Sequence, residues 1–187
     1  MKINQHRLQC ATQTLSPNLD ERPDPSDISL LVIHCISLPP GEFGNDAIDR
    51  LFCNKLKPDE HPYFQDIYQL RVSAHLLITR NGSCVQYAPF DKRAWHAGKS
   101  DYNGRERCND FSIGIELEGT ELIAYTDRQY RQLAAVIRAL LETYPKLSRQ
   151  RIVGHSDIAP GRKTDPGDSF DWQRFWRLLE TGGEDGK

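Results

Sequence analysis

Two apolar runs in this sequence each end on a histidine. Ile152-Val153-Gly154 leads into His155, and Leu30-Leu31-Val32-Ile33 leads into His34. Beyond His155, Pro160, Gly161, Pro166 and Gly167 break every regular pattern, so Lys163 and Asp165 belong to a loop folded back near that imidazole. An imidazole, a carboxylate and a fixed cation in one short stretch suit a metal site with an electrophilic helper. Zinc accepts histidine nitrogen and carboxylate oxygen, and a catalytic zinc commonly keeps three protein ligands and one open position. His155 and Asp165 supply two ligands, and His34 is the best donor for the third. Neighbouring strands ending in these histidines would bring both rings to one rim of a sheet. Each member also has an ordinary reading: a strand-end histidine is usually a hydrogen-bonded structural group, and Asp-Pro-Gly makes turns whatever its function. The combination points to a metal.

The elements that must position these residues are legible in the patterning. Ser29–Cys35 is apolar without alternation, as expected of a central strand covered on both faces. Cys35 should then point away from His34, since successive side chains diverge. Ser73–Thr79 and Cys84–Pro89 read as strands joined by an Asn81-Gly82 hairpin turn. Ser112–Glu118 alternates, with one face open to a cavity or to solvent. Thr126 and Gln129 form a capping box, opening a helix whose apolar stripe runs from Tyr130 to Tyr144 before Pro145 ends it. Ile152–His155 is the last strand and 171–179 a closing helix. Residues 1–28 read as an irregular lead-in. The stretch 37–69 loosens, with four prolines and one short helix at 46–52, and is expected to have few buried contacts, as a wall or mobile lid of a groove. The predicted architecture is one α/β domain, core about 29–180, with a mixed β-sheet flanked by helices and the zinc site at one rim.

Length suits a single domain at 187 residues, with no internal repeat. Charges nearly cancel, 24 Lys and Arg against 26 Asp and Glu, which offers no electrostatic case for nucleic acid or an anionic membrane. No apolar run is long enough to span a bilayer, and Met1–Leu8 lacks the apolar core of a signal peptide. The five cysteines are odd in number and without metal-type spacing, so reduced thiols in a cytoplasm are expected.

His34, His155, Lys163 and Asp165, with Ser73-Ala74-His75, Trp95-His96-Ala97-Gly98 and Ile113-Gly114-Ile115-Glu116 between them, resemble the zinc-dependent N-acetylmuramoyl-L-alanine amidases. The resemblance runs from about Leu30 to Trp172 and is nearest to the cytoplasmic 1,6-anhydro branch of that family. It implies one zinc on His34, His155 and Asp165, and an anhydro-muropeptide substrate cut between the lactyl group and L-alanine. It implies no obligate protein partner. Glu116 is a polar exception in an apolar strand, at a position where the family carries a catalytic side chain; it is either a general base or the solvent-facing half of that strand. Lys163 would stabilise the oxyanion, or is a solvated loop lysine. Trp95 and His96 suit the lining of a sugar groove. The resemblance raises Arg71 and Arg107 as clamps for peptide carboxylates, against their reading as surface arginines. His75 is a core histidine or a partner behind the ligands. Cys35 departs from the asparagine expected after the first ligand, which alters any substrate contact there and leaves the metal donors intact. A lytic amidase acting on intact peptidoglycan, told apart by activity on sacculi, and a non-catalytic muropeptide-binding module, told apart by a lost ligand, are the rival functions.

Overall fold

A computed structural model describes residues 1–182. Six strands form the central sheet: β1 (Thr12–Gln13), β2 (Leu30–Ile36), β3 (Leu76–Ile78), β4 (Cys84–Gln86), β5 (Ser112–Glu118) and β6 (Ile152–Gly154). Their spatial order is β6-β2-β5-β3-β4-β1. β6, β2, β5 and β3 run parallel, whereas the hairpin joining β3 to β4 is antiparallel, so the sheet is mixed as the patterning predicts. The ordered strands β3 and β4 are shorter than the apolar runs that announce them.

Alternation along the central strands sorts two interiors. Leu31 and Ile33 of β2, with Ile113, Ile115 and Leu117 of β5, face the main core, where α2 (Asp127–Thr143) contributes Leu133, Ile137 and Leu140 and α3 (Trp172–Thr181) contributes Phe175 and Leu178. Fully burying each such side chain stabilises the fold by about 1.5–3 kcal/mol. Leu30 and Val32 face the other way, against Ala97, Cys108, Phe111 and Ile158. The capping box starts α2 as expected: Thr126 Oγ1 accepts the Gln129 N–H at 3.1 Å, and the Gln129 side chain accepts the Thr126 N–H at 3.1 Å.

Two expectations are corrected. The lead-in is not merely irregular: β1 pairs with β4, and Leu19–Glu21 pairs antiparallel with Lys92–Ala94. Strands of two or three residues are too short to show a period. The stretch after β2 is also far from bare. Leu38, Phe64 and the helix α1 (Ala47–Phe52) bury Ile48, Leu51 and Phe52 against Ala74, Leu77 and Tyr87, forming a second small core. Glu118 then pins its exposed turn, accepting the Gly44 N–H at 2.5 Å while its other oxygen accepts the Arg80 N–H at 2.8 Å. Few buried contacts was the ground for a mobile lid, and the packing removes it. Among the described residues no helix is long and apolar enough to cross a membrane.

Candidate metal centre

Register brings three polar side chains to one rim. Glu116 of β5 lies opposite His34, and Gly154 of β6 lies opposite Ile33, so His155 follows directly beside His34. All three strands present their carboxyl ends there, the edge of an α/β sheet where ligands commonly bind. Cys35 turns to the helix-covered face, as alternation requires, and burial pushes its thiol up to about 12. After His155 the chain makes one helical turn, and its loop then returns over β6. The Asp165 carbonyl accepts the Ser156 N–H at 3.0 Å, and the Pro166 carbonyl accepts the Tyr125 hydroxyl at 2.8 Å. A Cβ on Gly154 would lie 2.9 Å from Pro166 Cδ, so glycine is what lets the loop settle on the strand.

The three donors converge. His34 Nδ1 lies 3.0 Å from His155 Nδ1 and 3.2 Å from Asp165 Oδ2, and His155 Nδ1 lies 3.1 Å from the same oxygen. Ligands about 2.0–2.1 Å from a tetrahedral ion stand about 3.3 Å apart, so this near-equilateral triangle fits a four-coordinate divalent ion of the zinc type with one position open. The charge state suits a cation as well. Burial holds the His34 imidazole down to about 4, the Asp165 carboxylate offsetting only part of that. Burial pushes the Asp165 carboxyl up, but the close imidazoles of His155 and His34 more than reverse this and hold it well below the ordinary carboxylate range.

Glu116 is buried, and its Oε2 has no hydrogen-bond partner. It is therefore not the solvent-facing half of the strand. Burial, followed by the charge of Asp165, pushes its carboxyl well above the ordinary range, while the Lys163 ammonium pulls it back. Lys163 itself is exposed, and its charge also opposes protonation of His34.

The model of the family described as N-acetylmuramoyl-L-alanine amidase matches residues 24–168. The chain belongs to that family. It is 61% identical over 179 residues to the 1,6-anhydro-N-acetylmuramyl-L-alanine amidase AmpD of Escherichia coli (strain K12), covering 96% of this chain and 97% of that protein. The crystal structure of a selenomethionine derivative of AmpD superposes with a TM-score of 0.93 at 60% identity, covering 96% of this chain and 99% of that one. AmiD from E. coli, solved with the substrate anhydro-N-acetylmuramic acid-L-Ala-D-γ-Glu-L-Lys, is similar at TM-score 0.59 and 28% identity over 92% of this chain and 60% of that one.

Of the other predicted site residues, His96 touches the triad, whereas Arg71 and Arg107 have their partners elsewhere. Arg71 is exposed, its guanidinium donating to the carbonyls of Gln69 at 3.0 Å and Leu70 at 3.3 Å. Arg107 is 71% exposed, 3.4 Å from Asp110, and borders an open cavity of about 550 Å³ between loops 98–101 and 158–162. Trp95 is half-buried, its carbonyl accepting the Ser73 N–H at 3.0 Å. His96 is hydrogen-bonded to His34 itself, Nδ1 to Nε2 at 2.9 Å. His75 is fully buried: its Nδ1 accepts the Gly114 N–H at 3.0 Å and its Nε2 lies 2.9 Å from the Lys92 carbonyl. Arg22, in the supposed lead-in, is buried beneath the site and donates to the carbonyls of Phe90, Asn109, Asp110 and Ser112. Nothing in its sequence context marks it, since arginines are mostly exposed.

Proposed function

We propose that this protein hydrolyses the amide joining the lactyl group of 1,6-anhydro-N-acetylmuramic acid to L-alanine in muropeptides. The observation that carries the reading is the convergence of His34, His155 and Asp165 beside the partnerless carboxyl of Glu116. Its substrate follows from the near full-length identity with a protein named for that bond. His34, His155 and Asp165 would hold one zinc ion, which when bound would supply polarisation of the scissile carbonyl and make the attacking water more acidic. Glu116 takes the proton of the attacking water and then delivers it to the departing L-alanine amine, its burial favouring the protonated form in between. Lys163, exposed and electrostatically coupled to the site, stabilises negative charge on the carbonyl oxygen as the carbon becomes tetrahedral. Arg71, Trp95 and Arg107 bind the sugar and peptide around that centre. The five free thiols suit a reducing compartment, hence soluble muropeptides recycled in the cytoplasm. Removing them would lower the muropeptide signal that induces β-lactamase in some bacteria.

The test is product analysis. Zinc-loaded protein is incubated with purified anhydro-muropeptide and, separately, with intact sacculi, and the products are weighed by mass spectrometry. Free peptide beginning at L-alanine and intact anhydro-sugar are expected from the first. Cleavage of sacculi alone, or of neither, overturns the proposal.

A further inference from the structure

The loop Trp95–Gly98 touches both histidines of the triad from behind. His155 Nε2 lies 3.1 Å from the carbonyl oxygen of Ala97, which can only accept. With the proton of His155 on Nε2 that contact is a hydrogen bond, and Nδ1 is then bare toward Asp165 and His34. The neighbour of His34 Nε2 is another imidazole, His96 Nδ1, so the proton between them must be assigned from farther out. Ser112 Oγ is 2.6 Å from the Cys108 carbonyl oxygen, a separation that requires the hydroxyl proton between the two oxygens. Ser112 Oγ is then an acceptor for the His96 Nε2–H, at 3.0 Å. His96 Nδ1 carries the lone pair, and the shared proton belongs to His34 Nε2.

The placement of His96 is built as carefully as its polarity. A Cβ on Gly114 would lie 2.4 Å from His96 Cγ, so the ring rests on bare backbone of β5. Asn109 Oδ1 accepts both the His96 N–H at 3.1 Å and the Ala97 N–H at 2.8 Å, clamping the loop. Ser112, Gly114 and Glu116 share one face of β5. One residue fixes the polarity of His96, the next admits its ring, and the third supplies the buried carboxyl.

We propose that His96 is a positioning residue of the metal centre. With the Ala97 carbonyl it presets the Nε2–H tautomer of both ligand histidines, so that two Nδ1 lone pairs and one Asp165 oxygen face a common point before any ion arrives. This deepens the zinc reading above and rests on it. Outer partners of ligand histidines commonly govern metal affinity by about 10–100-fold.

Two measurements separate the proposal from the reading beneath it. Zinc affinity of the unaltered protein, by competition with a chromophoric chelator, tests whether the triad holds zinc. Long-range proton–nitrogen NMR of the imidazoles in metal-free protein tests the tautomers. The unaltered protein should show His34 and His155 both as Nε2–H. In His96→Leu, His34 should become a mixture of tautomers while His155 does not change, and zinc affinity should fall about 10–100-fold. His96→Asn, whose Oδ1 can accept from His34 Nε2–H, should recover most of both. Should His96→Leu fail to fold, Ser112→Ala, which frees the outer end of the chain, is read the same way. An unchanged His34 tautomer with zinc affinity within about threefold of the parent overturns the proposal.

Discussion

β5 presents two surfaces that obey different rules. Ile113, Ile115 and Leu117 enter the helix-covered core, where apolar volume is what counts. Ser112, Gly114 and Glu116 enter the metal face, where a hydroxyl answers one ring nitrogen, an absent side chain makes room for that ring, and a carboxyl oxygen is left without a partner. Apolar packing tolerates exchange among residues of similar volume, at a cost in stability. The metal face holds a buried carboxyl without a partner, an arrangement that stability alone would remove. Changes on the first surface should move stability and spare chemistry, and changes on the second should do the reverse.

The largest break in that contrast is expected at the triad. His155→Ala should abolish both zinc retention and amidase activity, read by metal analysis and turnover; a metal-free variant with full activity would refute the assignment. Next come the groups that act on the reacting atoms. Glu116→Gln should lower kcat at least about a hundredfold while zinc stays bound, and the unfolding midpoint should hold or rise because a desolvated carboxyl has been neutralised. Lys163→Ala should lower kcat by about 10²–10³-fold with little change in melting. On the opposite surface, Ile115→Ala should cost about 2–5 kcal/mol in denaturant unfolding and leave kcat nearly unchanged. Loss of activity in step with loss of zinc in that variant would blur the distinction between the two faces.

The smallest effect is one of pH. Burial, and secondarily the charge of Arg22, hold the His75 imidazole down to about 3 from 6.5. The unfolded chain therefore binds a proton near pH 6.5 that the folded chain refuses until about pH 3. The stability this represents is whole above pH 6.5 and drains away as pH falls toward 3. His75→Gln removes that difference, so the stability of the metal-free variant should decline less steeply between pH 6.5 and 4 than that of the parent, whose His34 adds a loss of the same sign. Parallel declines would assign the acid sensitivity elsewhere.

The two faces also differ in how far sequence reveals them. The core of β2, β5 and α2 is periodic, so its strands, its capping box and the rim where His34 and His155 meet are legible from residue pattern alone. Asp165 follows from the turn chemistry around it. What stays hidden is contact without period. His96 meets Ser112 and Gly114 across a loop, and its sequence context of Trp95 and Gly98 suits a groove lining equally well. Arg22 is hidden because a buried guanidinium satisfied by backbone carbonyls looks, in sequence, like any surface arginine. The connection after β2 misleads for a related reason: its apolar residues are spread among prolines and turns, and the cluster they form is visible only once folded against Tyr87 and Leu77.

His34 and Asp165 stand 131 positions apart along the chain, and His34 and His155 stand 121 apart. Synthesis runs from the N-terminus, so a chain still on the ribosome holds one of these donors long before the other two exist. Hairpin β3–β4 and helix α2 are local and can form early, whereas the parallel pairing of β2 with β6 must wait for nearly the whole sequence and bear the entropy of a long closure. A half-made chain thus lacks the assembled donor triangle, and any metal capture there would be a late event that follows the pairing of β2 with β6.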